Sequence, residues 1–383
     1  MSKKRKVCVV VASRANYGRS KSILTAIKNH PDLELQLIVS ASALLYRFGN
    51  VIDIIKKDGF TPDATVYMVI EGETPSTMAK STGLAILELA TLFENLKPDI
   101  VLTTADRYET MATAVSASYM NIPLAHTQGG EVTGSIDESV RHAITRLAHI
   151  HFPATKISYE RLIKMGEEAD RIYLTGCPSI DIIADIDLSL DGVFERYGGV
   201  GAKLHTDKQY IVVLQHPVTT EFGSAFEQIN QTLLAIKGLK MPTIWLWPNV
   251  DAGTDSVSKG LRMFREKDNP EYAHFYRNFS PEDYARVIYN CSCLIGNSSS
   301  AIREGAYLGI PAVNIGTRQQ GRERGPNIID VGYDHNEIKT AIETQISRPR
   351  YKRDSLYGTG DAGKKIAEIL ATCAITIQKK LSY

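Results

Sequence analysis

The feature that most constrains the fold is a regular alternation of short apolar runs with longer segments of helical periodicity. The apolar runs are rich in valine, isoleucine and leucine without strict polar alternation, which is typical of parallel strands buried on both faces. Parallel strands need crossover connections, and the intervening helical segments supply them. In the first half the pattern predicts strands at 7–12, 33–40, 100–104, 123–127 and 172–175, and helices at 17–28, 78–96, 108–120 and 139–148.

The second half repeats this alternation, with strands predicted at 210–214, 243–247, 293–296 and 312–315, and helices at 222–236, 281–290 and 299–308. Because 383 residues exceed the usual size of one hydrophobic core, we predict two doubly wound α/β domains with a cleft between them. We place the domains at 1–180 and 181–365, with a hinge within 181–207. A last helix is predicted over 361–381, and residues 366–383 are expected to pack back on the first domain.

Composition and charge exclude several classes of protein. The formal net charge is +1, so neither a nucleic-acid nor a membrane-surface partner is expected. The apolar stretch at 7–12 is too short for a signal peptide or a membrane span. The five cysteines are scattered and lack CxxC spacing, which predicts a reducing compartment and a cytoplasmic protein.

Polar side chains follow the predicted strands of the first half, at the sheet edge where ligands bind in such folds. Arg14 follows the first strand and is either a phosphate ligand at a helix N-terminus or a surface turn residue. Asp106 and Arg107 follow the third strand, where the aspartate could also be a helix cap. Glu131 and Asp137 bracket a glycine-rich loop and could exchange protons, although Asp137 could instead form an i,i+4 ion pair with Arg141. His149 and His151 lie in a further apolar strand and are expected to be structural.

The second half has a similar set of polar residues after its strands. His216 is a candidate phosphate or sugar contact, and a metal role is disfavoured because no His or Cys stands at ligand spacing. Ser298 and Ser299 could donate hydrogen bonds to a pyrophosphate, and Glu304 could accept from both ribose hydroxyls. Neither a GxGxxG dinucleotide motif nor a P-loop is present, so neither NAD nor a P-loop nucleotide site is predicted.

Taken together, these motifs resemble the hydrolysing UDP-N-acetylglucosamine 2-epimerase family, including the epimerase half of the bifunctional epimerase/ManNAc kinase. They occur in family order over nearly the whole chain. The motifs are Arg14-Ala15-x-Tyr17, Asp106-Arg107, Gly129-Gly130-Glu131-Val132-x-Gly134-x-Ile136-Asp137, His216-Pro217, Pro248-Asn249-x-Asp251, Gly296-Asn297-Ser298-Ser299 and Gly316-Thr317-Arg318-Gln319.

The resemblance implies a GT-B fold with a UDP-sugar in the cleft, a homodimer or homotetramer, and no metal or organic cofactor. It implies loss of the C2 proton and of UDP to give a 2-acetamidoglycal, which water converts to a free mannosamine-type sugar for sialic or nonulosonic acid synthesis. The implied catalytic residues are Asp106, Glu131 and Asp137. The implied substrate-binding residues are Arg14, Arg107, Gln128, His216, Asn249, Phe279 (near the uracil), Ser298, Ser299, Glu304 and Arg318.

Two departures from the family pattern leave alternatives open. Gln128 stands where the family often has an acid, and Ala43 stands where it has a histidine. The same chemistry on UDP-2,4-diacetamido-2,4,6-trideoxyglucose, leading to legionaminic acid, would fit a changed sugar pocket. A non-hydrolysing epimerase, a GT-B glycosyltransferase and a catalytically silent UDP-sugar binding protein are the further alternatives.

Overall fold

A computed structural model describes residues 3–203, 209–380 and 382, which build two α/β units. The first unit has a six-stranded parallel sheet in the order β3-β2-β1-β4-β5-β6, the strand order of a dinucleotide-binding fold. Its strands are β1 (Arg5–Val11), β2 (Leu33–Ser40), β3 (Ala64–Val66), β4 (Ile100–Thr104), β5 (Leu124–Thr127) and β6 (Ile150–Phe152). Its helices are α1 (Arg14–Asn29), α2 (Val51–Lys57), α3 (Pro75–Leu96), α4 (Tyr108–Tyr119), α5 (Ile136–Leu147), α6 (Lys156–Lys164) and α7 (Pro178–Ala184).

The second unit has a seven-stranded sheet in the order β13-β12-β11-β8-β9-β10-β7. Six of these strands repeat the strand order of the first sheet, and β7 pairs antiparallel with β10 at the edge. The strands are β7 (Gly199–Gly201), β8 (Ile211–Leu214), β9 (Thr243–Leu246), β10 (Ala273–Tyr276), β11 (Cys293–Gly296), β12 (Ala312–Ile315) and β13 (Ile328–Val331). Its helices are α8 (Ala225–Leu239), α9 (Thr254–Met263), α10 (Pro281–Asn290), α11 (Glu304–Leu308) and α12 (His335–Ile346), and α13 (Ala362–Thr372) follows them in the chain.

Three predicted elements differ from the structure. The strand predicted at 172–175 is wrong, because only Ile172 makes a single bridge there, to His151 in the sixth strand. The helix predicted at 299–308 begins only at Glu304, since the Ser298 hydroxyl accepts from the Ser300 backbone N–H and competes with helical bonding. The helix predicted over 361–381 ends at Thr372, and position 381 lies outside the described residues. The predicted hinge contains part of α7 and all of β7, and its positions 204–207 also lie outside them.

The last helix packs against the first unit and crosses over α1. Its buried side chains Ile366, Ala367 and Leu370 belong to the same apolar cluster as β1 and β2. Beyond it, Lys379 donates to the carbonyls of Thr145 and Ala148 at the C-terminal end of α5, at 2.9 and 2.6 Å. The chain therefore returns to its first unit at its end. No helix among the described residues has both the length and the apolarity needed to cross a membrane.

Candidate active site between the two sheets

One cleft lies between the two units, and it is lined by the loops that leave the strands of both sheets. It encloses about 1420 Å³, including its open mouth. Eleven of the thirteen residues predicted for the site line this cleft. They are Arg14, Asp106, Arg107, Asp137, His216, Asn249, Phe279, Ser298, Ser299, Glu304 and Arg318.

The backbone turns sharply where the strands of the first sheet end. Ala41, Ala105 and Gln128 directly follow β2, β4 and β5, and each has a positive φ, of 49°, 68° and 63°. Non-glycine residues seldom adopt this conformation, and such strain gathers at functional sites. Ala43 itself is fully buried and does not line the cleft, whereas its neighbour Ser42 does.

Two arginines of α1 reach the cleft from the first two turns of that helix. Arg14 donates to the Asn278 side-chain oxygen at 3.2 Å, and Arg19 donates to the Ser299 hydroxyl at 2.7 Å. Within the part of the chain that the structure describes, neither pairs with a carboxylate. Cations at a helix N-terminus are disfavoured by the helix dipole, so this pair favours a bound anion. The sequence analysis missed Arg19, although two arginines so close to a helix start were a usable signal.

Asp106 and Arg107 point to different partners. The Asp106 carboxylate is paired with Arg141, whose guanidinium is fully buried and also donates to the Glu131 carbonyl at 2.9 Å. Arg107 contacts Asp251 at 2.7 Å, which joins the two units. The alternative ion pair between Asp137 and Arg141 is therefore not formed, because Arg141 is engaged with Asp106.

Asp137 lies in the first turn of α5, after the N-cap Ser135, and lines the cleft. Burial and the nearby Asp251 carboxylate raise the pKa of Asp137, while Arg318 at 3.8 Å partly opposes that shift. A carboxyl group with a raised pKa is suited to take up and return a proton near neutral pH. Asp137 is thus the carboxyl group of the cleft whose environment best matches acid–base work.

Gln128 and Glu131 lie beneath the cleft and do not line it. The Gln128 amide is fully buried and donates to the Cys177 sulfur at 3.2 Å. The Glu131 carboxylate is paired with Arg303 and lies 3.6 Å from Arg322. The structure therefore does not bring these two predicted residues to the wall that the others share. Arg303, which the sequence analysis did not single out, is their common partner.

His216 is a neutral hydrogen-bond donor toward the cleft. Its Nδ1 accepts from the Asn249 backbone N–H at 3.2 Å, which leaves the proton on Nε2. Burial, followed by the charges of Arg318 and Arg14, holds the pKa of His216 well below its usual value. No group of three or more His, Cys, Asp or Glu side chains in the described ranges has a metal-binding arrangement.

The segment after β11 presents hydroxyl groups and one free acceptor. The Ser298 and Ser300 hydroxyls lie 2.9 Å apart, and both line the cleft beside Ser299. The Oε2 atom of Glu304 is buried, with no hydrogen-bond partner in the described part of the chain. A buried acceptor left unpaired is costly, so it favours a ligand that brings hydroxyl donors. Arg318 lies opposite, 3.8 Å from both Asp137 and Asp251.

Comparison with known proteins gives consistent results. The family model described as UDP-N-acetylglucosamine 2-epimerase matches residues 25–371. A UDP-N,N'-diacetylbacillosamine 2-epimerase (hydrolyzing) of Legionella pneumophila is 33% identical over 98% of this chain and 97% of its own length. A UDP-N-acetylglucosamine 2-epimerase of Neisseria meningitidis is 30% identical over 98% of both chains. The crystal structure of a UDP-GlcNAc 2-epimerase from Neisseria meningitidis bound to UDP-GlcNAc superposes with a TM-score of 0.78 at 17% identity, covering 95% of this chain and 99% of that one. The GT-B fold predicted from the resemblance is thereby confirmed.

Proposed function

Because the chain belongs to the UDP-N-acetylglucosamine 2-epimerase family, we propose that it is a hydrolysing member, which converts a UDP-2-acetamido sugar and water to UDP and the free 2-epimer. One observation carries the proposal. Arg14 and Arg19, which pair with no carboxylate among the described residues, line the same cleft as Asp137, whose pKa is raised. Such a cleft combines a place for a diphosphate with a group that can exchange the proton of a neighbouring carbon.

In the proposed complex, UDP lies against the second sheet. Glu304 accepts from the ribose hydroxyls through its unpaired oxygen, and Phe279, buried at the cleft wall, lies near the uracil. The hydroxyls of Ser298 and Ser299 contact the diphosphate, as do the guanidinium groups of Arg14 and Arg19. Asn249 and Arg318 close the sugar end of the cleft toward the first sheet.

In the first step, Asp137 takes the proton from C2 of the sugar. The C2–H electrons form the C1=C2 double bond as the C1–O bond breaks, and UDP leaves with that bond's electron pair on its β-phosphate oxygen. Arg14, Arg19 and the Nε2–H of His216 stabilise the developing negative charge. Preorganised donors aimed at a leaving group are commonly the largest contribution to such a rate enhancement.

In the second step, water adds to C1 of the 2-acetamidoglycal and a proton returns to C2 from the opposite face. Water supplies the hydroxyl group on C1 and the proton on C2, and Asp137 releases the proton that it took in the first step to solvent, so the product is the free 2-epimer and the enzyme is regenerated. We assign Asp106, held by Arg141, to the sugar hydroxyls, and Arg107, held by Asp251, to the sugar end of the diphosphate.

Two substrates are compatible with this chemistry. UDP-GlcNAc is the first, supported by the 30% identical UDP-N-acetylglucosamine 2-epimerase of Neisseria meningitidis. UDP-2,4-diacetamido-2,4,6-trideoxyglucose is the second, supported by the 33% identical hydrolysing relative from Legionella pneumophila. Either product would serve nonulosonic acid synthesis. The proposal includes a homo-oligomer in the cytoplasm, where five unpaired, buried thiols would remain reduced.

The test is to incubate the protein with UDP-GlcNAc in D2O and to follow the products by proton NMR. Free ManNAc carrying deuterium at C2, together with UDP, would establish the proposal. UDP-ManNAc would show instead a non-hydrolysing epimerase. If UDP-GlcNAc is inert, the 2,4-diacetamido substrate is added to the same tube. Inertness toward both would contradict the proposal and favour a binding protein or a glycosyltransferase lacking its acceptor.

A further inference from the structure

The side chain of Arg303 crosses from the second unit into the first. It is fully buried, and its Nη1 atom donates to the Gln128 side-chain oxygen at 2.9 Å. Its Nη2 atom donates to the Glu131 carboxylate. The guanidinium carbon lies 5.5 Å from the centre of the Tyr357 ring. One charged side chain thus holds two residues of the loop that follows β5.

Arg303 keeps its charge in this position although its side chain is almost wholly buried. Burial alone would lower the pKa of Arg303, but the Glu131 carboxylate, together with Cys177, Tyr357 and Glu304, outweighs burial and raises it. Its Nε atom and the Oε1 atom of Glu131 have no hydrogen-bond partner within the described residues. A buried ion pair with unsatisfied atoms is weak evidence for stability, and such pairs are best attested where they fix one arrangement over others.

The two ends of this contact belong to the two functional halves of the cleft. Arg303 directly precedes Glu304, and its backbone N–H donates to the Ser299 carbonyl at 3.1 Å, within the segment assigned to the nucleotide. Gln128 begins the loop that leads to Asp137, and its positive φ of 63° is a strained conformation that persists only where surrounding contacts maintain it. Arg303 therefore connects the segment assigned to the nucleotide directly to the loop that leads to Asp137.

We propose that Arg303 is a positioning residue that orders loop 128–137 when a nucleotide binds to the segment 298–304, and that Gln128 acts as its hydrogen-bond acceptor. The proposal rests on the proposed function for the role of Asp137. In this role Gln128 accepts a hydrogen bond from Arg303, for which a neutral amide is sufficient, whereas an acid–base role at this position would need an ionisable side chain. The proposal also gives Glu131 a role as an anchor for Arg303 beneath the cleft.

The first experiment measures amide hydrogen exchange across 128–137 with and without UDP, which needs no turnover. UDP is expected to slow exchange of this loop in the unaltered protein and in Arg350→Met. Arg350 is the control, because it likewise stacks on a tyrosine ring, Tyr289 at 4.4 Å, yet is exposed and pairs with no carboxylate in the described ranges. In Arg303→Met, the Kd for UDP measured by calorimetry should stay within about threefold of the unaltered value, while UDP should no longer slow amide exchange in the loop. Equal protection of the loop in Arg303→Met would overturn the proposal.

The second experiment separates a positioning role from a merely structural one by kinetics. Misplacement of a reacting group by about 1 Å can cost about 100-fold in rate, so Arg303→Met should lower kcat about 100-fold with KM little changed. Arg303→Lys keeps a charge beside Glu131 and guards against a failure to fold, yet it reaches only one of the two partners, so kcat should recover only in part. Gln128→Glu, which keeps an acceptor, should retain more activity than Gln128→Leu. A kcat of Arg303→Met within threefold of the unaltered protein would overturn the proposal. An unaltered protein that releases no UDP from either sugar would refute the proposed function and leave the exchange experiment decisive for Arg303.

Discussion

Gly134 is the position at which a single added methyl group should most directly disturb the cleft. It lies on the loop between β5 and α5, and its N–H donates to the Arg318 carbonyl of the second unit at 3.1 Å. A Cβ atom at this position would lie 2.9 Å from the Thr317 carbonyl carbon, would overlap the oxygen of that carbonyl, and would lie 3.1 Å from the Gln320 Cβ atom. Gly134→Ala therefore requires the two units to separate at this contact.

The size of the effect follows from these distances. Ordinary contact with the carbonyl carbon begins near 3.4 Å, so the loops must part by at least about 0.5 Å, and the overlapped oxygen requires more. A hydrogen bond of 3.1 Å does not survive that shift, which costs about 1 kcal/mol. Arg318 and Asp137 move with the two loops, and displacement of reacting groups on this scale lowers rates by about 10- to 100-fold. Each unit should still fold, because the clash lies between the two units and outside both cores, and a loss of about 1 kcal/mol lowers Tm by only about 2–4 °C in a unit of this size.

The assay is UDP release under saturating and limiting substrate, combined with thermal unfolding. Gly134→Ala should lose about 10- to 100-fold in kcat/KM at nearly unchanged Tm. Gly83→Ala is the matched control, because a Cβ atom there meets nothing within 4 Å in helix α3. That control should keep full activity and gain up to about 1 kcal/mol of stability. Normal kcat/KM in Gly134→Ala would refute the view that close approach of the two loops is needed for turnover.

Three further substitutions test single side chains. Asp137→Asn should abolish deuterium incorporation at C2. Because burial and then Asp251 raise the pKa of Asp137, kcat of the unaltered enzyme should fall on acidification with a pKa above the usual aspartate value of about 3.9. A kcat that stays constant down to that pH would contradict the assignment. Glu304→Gln should weaken UDP about tenfold by calorimetry, since a charged acceptor for the ribose becomes a neutral one; unchanged affinity would remove Glu304 from the nucleotide site. Burial lowers the pKa of His126 to about 3. Below about pH 6.5 the unfolded state therefore binds more protons than the folded state, and the free energy of unfolding falls as the pH is lowered. Between about pH 7 and about pH 5, the free energy of unfolding of His126→Gln, measured in urea, should fall by about 2 kcal/mol less than that of the unaltered protein. An equal fall in both proteins would contradict the burial argument.

The sequence predicted the central strands well and the edge strands poorly. The strands at the middle of each sheet are buried on both faces, so their continuous β-branched runs stand out, as in β1. The strand Ala64–Val66 has three residues, and Ile328–Val331 is only partly buried, so neither has a clear apolar pattern. The pairing of such short edge strands depends on the neighbouring strand, which a local pattern does not reveal.

The sequence predicts which residues line the cleft where sheet topology alone fixes their position. It does not predict the position of residues that is fixed by a side-chain partner distant in the sequence. Residues directly after parallel strands must meet at one sheet edge, which is why most of the predicted set lines a single cleft. The position of Gln128 and Glu131 beneath the cleft depends on Arg303, a residue 172 positions away from Glu131. Contacts across two separately folded units leave no periodic signal in either segment.

The return of the chain to its first unit affects how the protein is made. Helix α13 supplies Ile366, Ala367 and Leu370 to the core around β1 and β2, yet it is translated after every strand of both sheets. On the ribosome the N-terminal unit therefore waits with part of its core exposed, while the second sheet, built from residues 199–331, can finish first. Chaperone demand during synthesis, and damage from premature termination, should therefore fall on the N-terminal unit, because a helix translated after the second sheet completes its core.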